Sequence, residues 1–175
     1  LIANKSIEKI YKKILLPTYD VFDEARYFTP GDKPCVASIK KDSKIYKIGF
    51  QICEDLWDYQ YNRDLIGEMN DLEVDCIINI SASPYTYNKF QDRLELIKTK
   101  VKQHNITYIY CNLVGAQDEI IFDGQSVAIN NKNDILSKGK AFEEDLVLFD
   151  LKQTKKVKIQ SLPKEEELFK ALVLG

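Results

Sequence analysis

One histidine, His104, stands in a chain of 175 residues, and only three of its 25 basic residues are arginine (Arg26, Arg63 and Arg93). A lone imidazole leaves any zinc site to the cysteines. The four cysteines (Cys35, Cys53, Cys76, Cys111) lie far apart with no CxxC pair, so no metal is expected. So few arginines form no cluster for phosphates. A net charge of −2 and a pI near 5.6 offer neither nucleic acid nor an anionic membrane an attractive surface. No apolar run approaches the ~20 residues that span a bilayer, and no signal-peptide pattern opens the chain. Reduced thiols and a cytoplasmic location are therefore expected. The chain starts "LIANKSIEKIYKK" without an initiator methionine, as a fragment or processed product would.

What is present is ordinary globular material: 45% hydrophobic and 30% charged residues, enough for one domain or most of one. Ile7, Ile10, Tyr11, Ile14 and Leu15 recur at helical spacing within residues 4–15, although that segment is β-branched and ends at Pro17. A loop with three prolines follows. Residues 35–39 and 44–53 read as two strands joined by a polar turn, and 59–71 as a short helix. "EVDCIINISAS" reads as a strand buried on both faces. In 88–104, Phe90, Leu94, Ile97 and Val101 form a helical stripe with Lys and Glu opposite. Residues 106–114 give another strand, 120–130 a hairpin or strand pair around Gly124, and 145–151 a last strand. Pro163 before a Glu-rich turn starts a final helix. Strands alternating with helices predict an α/β layered fold, whose ligands gather where strands end at their carboxyl edges. "ICEDLW" and "SASPYTYNKF" both occupy such positions.

The cysteines differ in setting. Cys76 and Cys111 lie inside apolar strands and read as small core residues. Cys35 carries no local signal. Cys53 ends a strand and meets a polar turn, a place where sulfur is exposed and backbone N–H groups face a substrate oxygen. A thiolate also needs nearby positive charge or a base, and Glu54 and Asp55 alone would oppose it. His104 is remote in sequence, and Lys13 is one lysine among 22. On pattern alone, Cys53 is equally a nucleophile or a buried strand-end thiol.

Four blocks occur in order: "YKKILLPTYDVFDEARYF" (11–28), "IGFQICEDLW" (48–57), "INISASPYTYNKFQDR" (78–93) and "YCNLVGAQDEIIFDGQS" (110–126). Together they resemble the nitrilase-like glutaminase domain of glutamine-dependent NAD+ synthetases. The resemblance implies an αββα sandwich, incomplete at the N-terminus, over residues 1–160. It reads 161–175 as the linker and first helix toward a synthetase domain. It also implies a strand, not a helix, over 6–14.

By this resemblance Cys53 matches the nucleophile that attacks the glutamine side-chain amide, forming a thioester and releasing ammonia. Lys13 matches the lysine that supports the oxyanion. Glu54 matches the residue beside the nucleophile that meets the substrate's α-ammonium group. Tyr19, Ser83 and Lys89 match positions that hold glutamine, a hydroxyl and a cation suiting its α-carboxylate. The family's general-base glutamate lies well before the lysine, upstream of residue 1, so little glutaminase activity is expected of this chain alone. No cofactor is implied in this region, with ATP and Mg2+ belonging to the synthetase domain that uses the ammonia. That domain and a homo-oligomer are the implied partners. Two other readings stand beside this one: a stand-alone nitrilase-type amidase, and a catalytically inactive module that serves interaction alone.

Overall fold

The computed structural model describes residues 1–3, 5–153 and 155–175, which divide into two compact units, Leu1–Asn79 and Ile80–Gly175. In the first unit β1 (Ile2–Ala3) and β2 (Ser6–Ile7) pair as a minimal antiparallel ladder, Ile2 opposite Ile7. Residues 8–23 form neither helix nor strand. Both expectations for this stretch therefore fail beyond Ser6–Ile7. The apolar residues that suggested periodicity do not share a face: Ile14 and Leu15 are buried, whereas Ile7 and Ile10 are about three-quarters exposed at 68% and 76%. A single turn, α1 (Glu24–Tyr27), follows.

β3 (Cys35–Lys41) and β4 (Lys44–Ile52) form the predicted hairpin, in register from Cys35↔Phe50 to Lys41↔Lys44. Its two-residue turn needs a positive φ, taken by Asp42 at 54°, and aspartate tolerates that region better than most residues. Two short 3-10 turns, Cys53–Leu56 and Asp58–Gln60, lead to α2 (Leu65–Asn70). The Asp64 side chain caps α2 by accepting from the Gly67 N–H at 3.0 Å. Leu65, Ile66 and Met69 on α2 are wholly buried. Ile14, Leu15 and Leu65 form one core cluster, flanked by Tyr11 and Tyr61. β5 (Cys76–Ser81) lies beside β4 and carries the chain across the boundary at residue 79. Its Ile77 is fully buried, but Ile80 is 55% exposed, so the strand is not covered on both faces along its whole length.

The second unit opens with α3 (Lys89–His104), close to the predicted bounds. Phe90, Leu94, Ile97 and Val101 are buried as the stripe requires, and Arg93 and Lys100 are buried among them. β6 (Thr107–Asn112) is followed by β7 (Val114–Gln117), β8 (Ile120–Asp123), β9 (Val127–Ile129) and β10 (Ile135–Lys138). β7 and β8 make a separate antiparallel hairpin, while β9 lies antiparallel between β6 and β10. The two strands around Gly124 thus belong to different sheets and do not pair with each other. Residues 145–151 are not a strand; Leu146 and Leu148 there are more than four-fifths exposed. β10 was not predicted, because its four residues sit between polar runs.

Pro163 precedes α4 (Lys164–Leu174), as expected of proline at a helix start. Ala171 packs with Ala141 and Phe142, alongside Tyr85, Ile121, Leu162 and Leu174. Glu167 accepts from the Tyr85 hydroxyl at 3.1 Å, which fastens α4 within this unit. Among the described residues no helix is long and apolar enough to cross a membrane.

Candidate active site

β4 ends in extended backbone at Ile52, and the next residue, Cys53, has φ = 44°. A left-handed conformation in a residue other than glycine carries a cost of order 1–3 kcal/mol and persists only where its surroundings hold it. Here the surroundings are explicit. The Asp55 carboxylate, fully buried, accepts from the backbone N–H of Ile52 at 2.9 Å. The Cys53 carbonyl accepts from the Asn79 side-chain amide at 3.3 Å. The turn closes with the Trp57 N–H donating to the Glu54 carbonyl at 2.7 Å. Cys53 is therefore a half-buried thiol on a clamped, strained elbow, which separates it from the other three. Cys76 is buried, and that burial pushes its thiol up to about 11. Cys35 is half-buried. Cys111 is exposed, contrary to the core reading, because strand alternation turns Tyr110 and Asn112 inward instead.

Asp55 does a second job. Its other donors are the backbone N–H groups of Ile14 (3.1 Å) and Leu15 (2.9 Å) and the Tyr11 hydroxyl (2.7 Å). Burial, together with the Asp55 charge, raises the pKa of Tyr11 above its ordinary value and keeps that hydroxyl a donor. One side chain two residues past the thiol thus pins the segment that carries Lys13. Gly31 grips the same segment, donating its N–H to the Lys13 carbonyl at 2.8 Å. A Cβ there would stand 2.3 Å from the Lys12 carbonyl oxygen, so only glycine permits the approach.

The Lys13 ammonium is held by both oxygens of Glu24, at 2.6 and 2.7 Å, with 13% and 25% of the two side chains exposed. The Glu24 N–H donates in turn to the Pro17 carbonyl at 3.0 Å, closing the loop between lysine and glutamate. Glu54 is buried, and both its oxygens accept from the Tyr19 hydroxyl at 2.9 Å; Tyr61 adds a bond at 3.1 Å. Burial raises the Glu54 pKa. The two phenols and the Lys13 charge pull it back down without cancelling the rise, and the Glu24 charge adds to it. Both tyrosines are raised by burial and by Glu54, and so remain protonated donors.

Of the residues singled out in the sequence, Cys53, Lys13, Glu54 and Tyr19 converge in the first unit. Glu54 and Tyr19 are bonded to each other, and Lys13 is near enough for its charge to act on Glu54. Ser83 and Lys89 belong to the second unit. Ser83 is 4% exposed, with its backbone N–H donated to Asn112 Oδ1 at 3.0 Å, and Lys89 is a half-buried residue opening α3. Sequence reasoning missed Glu24, Asp55 and Tyr61. Their partners lie up to 44 residues away, and no spacing rule connects a thiol to a backbone that far off.

The carbon-nitrogen hydrolase family model matches residues 1–158. The chain is 40% identical over 191 residues to a glutamine-dependent NAD(+) synthetase from Synechocystis sp., aligning over 100% of itself and 33% of that protein. Its fold superposes with a TM-score of 0.84 on the glutamine-dependent NAD+ synthetase of Acinetobacter baumannii, solved with ADP, at 29% identity, covering 99% of this chain and 32% of that one. An amidase of the nitrilase superfamily from Nesterenkonia shares the fold alone, with TM-score 0.61, 19% identity, and 75% and 46% of the two chains covered. The chain spans roughly a quarter to a third of the length of the curated relatives it matches, 33%, 26% and 25% of the first three. The family model covers most of the chain and the fold matches: the chain belongs to the carbon-nitrogen hydrolase family, with the fold of the nitrilase superfamily.

Proposed function

We propose that this chain is the glutamine-hydrolysing region of a glutamine-dependent NAD+ synthetase. The observation that carries the reading is the strained Cys53 elbow. It is tied through Asp55 to the segment bearing Lys13, whose ammonium Glu24 holds in place.

In this reading the Cys53 sulfur attacks the side-chain amide carbon, and the negative charge that develops on its oxygen is met by Lys13. Collapse expels the amide nitrogen, which takes up the proton given up by the thiol and leaves as ammonia. Water then adds to the thioester, its hydroxyl going to the acyl carbon and its hydrogen to sulfur, and glutamate departs. Glu24 orients Lys13 through both steps. Glu54, kept in place by Tyr19 and Tyr61, offers a carboxylate to the substrate's α-ammonium group. Ser83 and Lys89 take the α-carboxylate. The ammonia serves an ATP- and Mg2+-dependent amidation of deamido-NAD+ in a separate synthetase domain. The cytoplasm supplies the reducing conditions a free thiol needs.

The reading is tested with the diazoketone analogue of glutamine and peptide mass spectrometry. The expected result is one adduct, on the Cys53 peptide, suppressed by excess glutamine and slowed at least tenfold in Glu24→Gln, as the loss of a positioned charge implies. Adducts shared evenly with Cys35 and Cys111 overturn it. Protection by simple aliphatic amides but not by glutamine replaces it with a general amidase, and no adduct in the intact fold complemented with the upstream segment replaces it with a non-catalytic module.

A further inference from the structure

The second unit contains a polar chain that the reaction scheme does not use, running through the inside of a hydrophobic layer. Arg93 of α3, 1% exposed, pairs with Asp123 of β8, 0% exposed. Asp123 Oδ2 also accepts from Gln125 Nε2 at 2.8 Å, and its Oδ1 accepts from Asn112 Nδ2 at 3.3 Å. The same Asn112 nitrogen donates to the Gly124 carbonyl at 3.0 Å. Asn112 Oδ1, on the other side of the amide, accepts the Ser83 backbone N–H at 3.0 Å. Every member is buried, and each bond fixes the next.

The amide has only one workable orientation. Turned over, Asn112 would point its NH2 at the Ser83 N–H and its oxygen at a buried carboxylate and a carbonyl. Both contacts would be repulsive in a medium where unpaired polar groups are costly. Asp123 therefore decides which way Asn112 faces, and Arg93 is the counter-ion that holds Asp123 in place. The output of the chain is the backbone position of Ser83. The Ser83 hydroxyl itself has no hydrogen-bond partner among the described residues, although the residue is 4% exposed. A clamped backbone beneath an uncommitted hydroxyl is how a protein prepares a donor for a ligand it has not yet bound.

We infer that Asn112 is a positioning residue that sets Ser83 for the carboxylate of the substrate, with Asp123 and Arg93 fixing the Asn112 amide. This rests on the glutaminase reading above. It adds that selectivity for substrates carrying a carboxylate is built by the Arg93–Asp123–Asn112 chain, not by Ser83 and Lys89 alone.

The test compares two reagents on Cys53 of the same protein. The glutamine diazoketone carries the carboxylate, and iodoacetamide does not. Asn112→Ala is expected to slow labelling by the diazoketone about tenfold, the loss of roughly one well-placed hydrogen bond to a charged group. Labelling by iodoacetamide stays within about twofold. Asn112→Asp keeps the shape and the acceptor toward Ser83 but opposes Asp123. It is expected to show the same selective loss, and it serves if the alanine variant does not fold. Ser83→Ala gives a similar loss, and combining it with Asn112→Ala adds little, because both act through one hydroxyl. Equal slowing with both reagents would make Asn112 merely structural and overturn the inference, as would unchanged diazoketone labelling or full additivity with Ser83→Ala. Failure of the glutaminase reading looks different: glutamine then gives no protection of wild-type Cys53.

Discussion

Asp55 and Asp123 are both fully buried carboxylates, and the protein compensates them in opposite ways. Asp55 has no cation at salt-bridge distance among the described residues. Three backbone N–H groups and a phenol surround it, so its charge is spread over neutral dipoles that the fold already owns. Asp123 has an arginine counter-ion and two side-chain amides. The difference teaches what each is for. Dipoles belonging to the backbone make Asp55 a staple between chain segments, and it draws the Lys13 segment onto the Cys53 elbow. Side-chain partners make Asp123 an orienting device, which passes direction to Asn112 without tying segments by their main chain.

The comparison breaks most visibly under removal of the counter-ion. Arg93→Met or Asp123→Leu alone is expected to cost about 3–5 kcal/mol in denaturant unfolding, since either leaves a buried charge without its partner. The double variant should recover most of that loss, because a buried pair is often replaceable by apolar groups. A single substitution costing under about 1 kcal/mol would show that water reaches the pair and that the contrast with Asp55 is false.

Asp55→Asn is the next largest. An amide keeps one acceptor oxygen, and its NH2 meets donors, so at least one buried N–H loses its partner at about 1–3 kcal/mol. Because those donors belong to Ile14 and Leu15, Cys53 labelling should slow in the same variant. Lost stability with unchanged labelling would separate the staple from the site.

The smallest effect concerns Glu54, whose folded pKa is raised above 4.5 by burial. A raised carboxyl favours folding most when it is protonated. Its contribution is complete below pH 4.5 and is lost as pH climbs through the higher folded value. Glu54→Gln should therefore remove a downward slope of stability with pH in the weakly acidic range. The variant should gain relative to wild type toward neutrality. Parallel stability–pH curves for the two proteins would show that the phenols and Lys13 cancel the burial cost in full.

The parts of the fold legible in the sequence were those whose signal is local. The 35–52 hairpin follows from strand alternation around a short polar turn, and α3 from four apolar residues at helical spacing. Arg93 sat three residues after Phe90 and four before Ile97, inside that stripe. A charge there is the one readable sign of the buried pair. Residues 8–23 were misread because their apolar side chains go to separate places and their order comes from Asp55, Gly31 and Glu24. Residues 145–151 carry a strand's composition but form no strand, and composition alone makes no ladder.

By itself the sequence determined which residues are chemically able to act: a thiol at the end of a strand, a lysine before a proline, and a serine and a lysine after another strand. It also supplied four ordered blocks that identify the family's pattern. Only the tertiary structure decided that Asp55 is a staple and not a repulsive neighbour of the thiol, that Glu24 holds Lys13, and that Cys53 takes a left-handed backbone. The physical reason is range. Helix and strand signals repeat every two to four residues along the chain. The hydrogen bonds that join Lys13 to Glu24 and Tyr11 to Asp55 span 11 and 44 residues, where only folding brings donor and acceptor together.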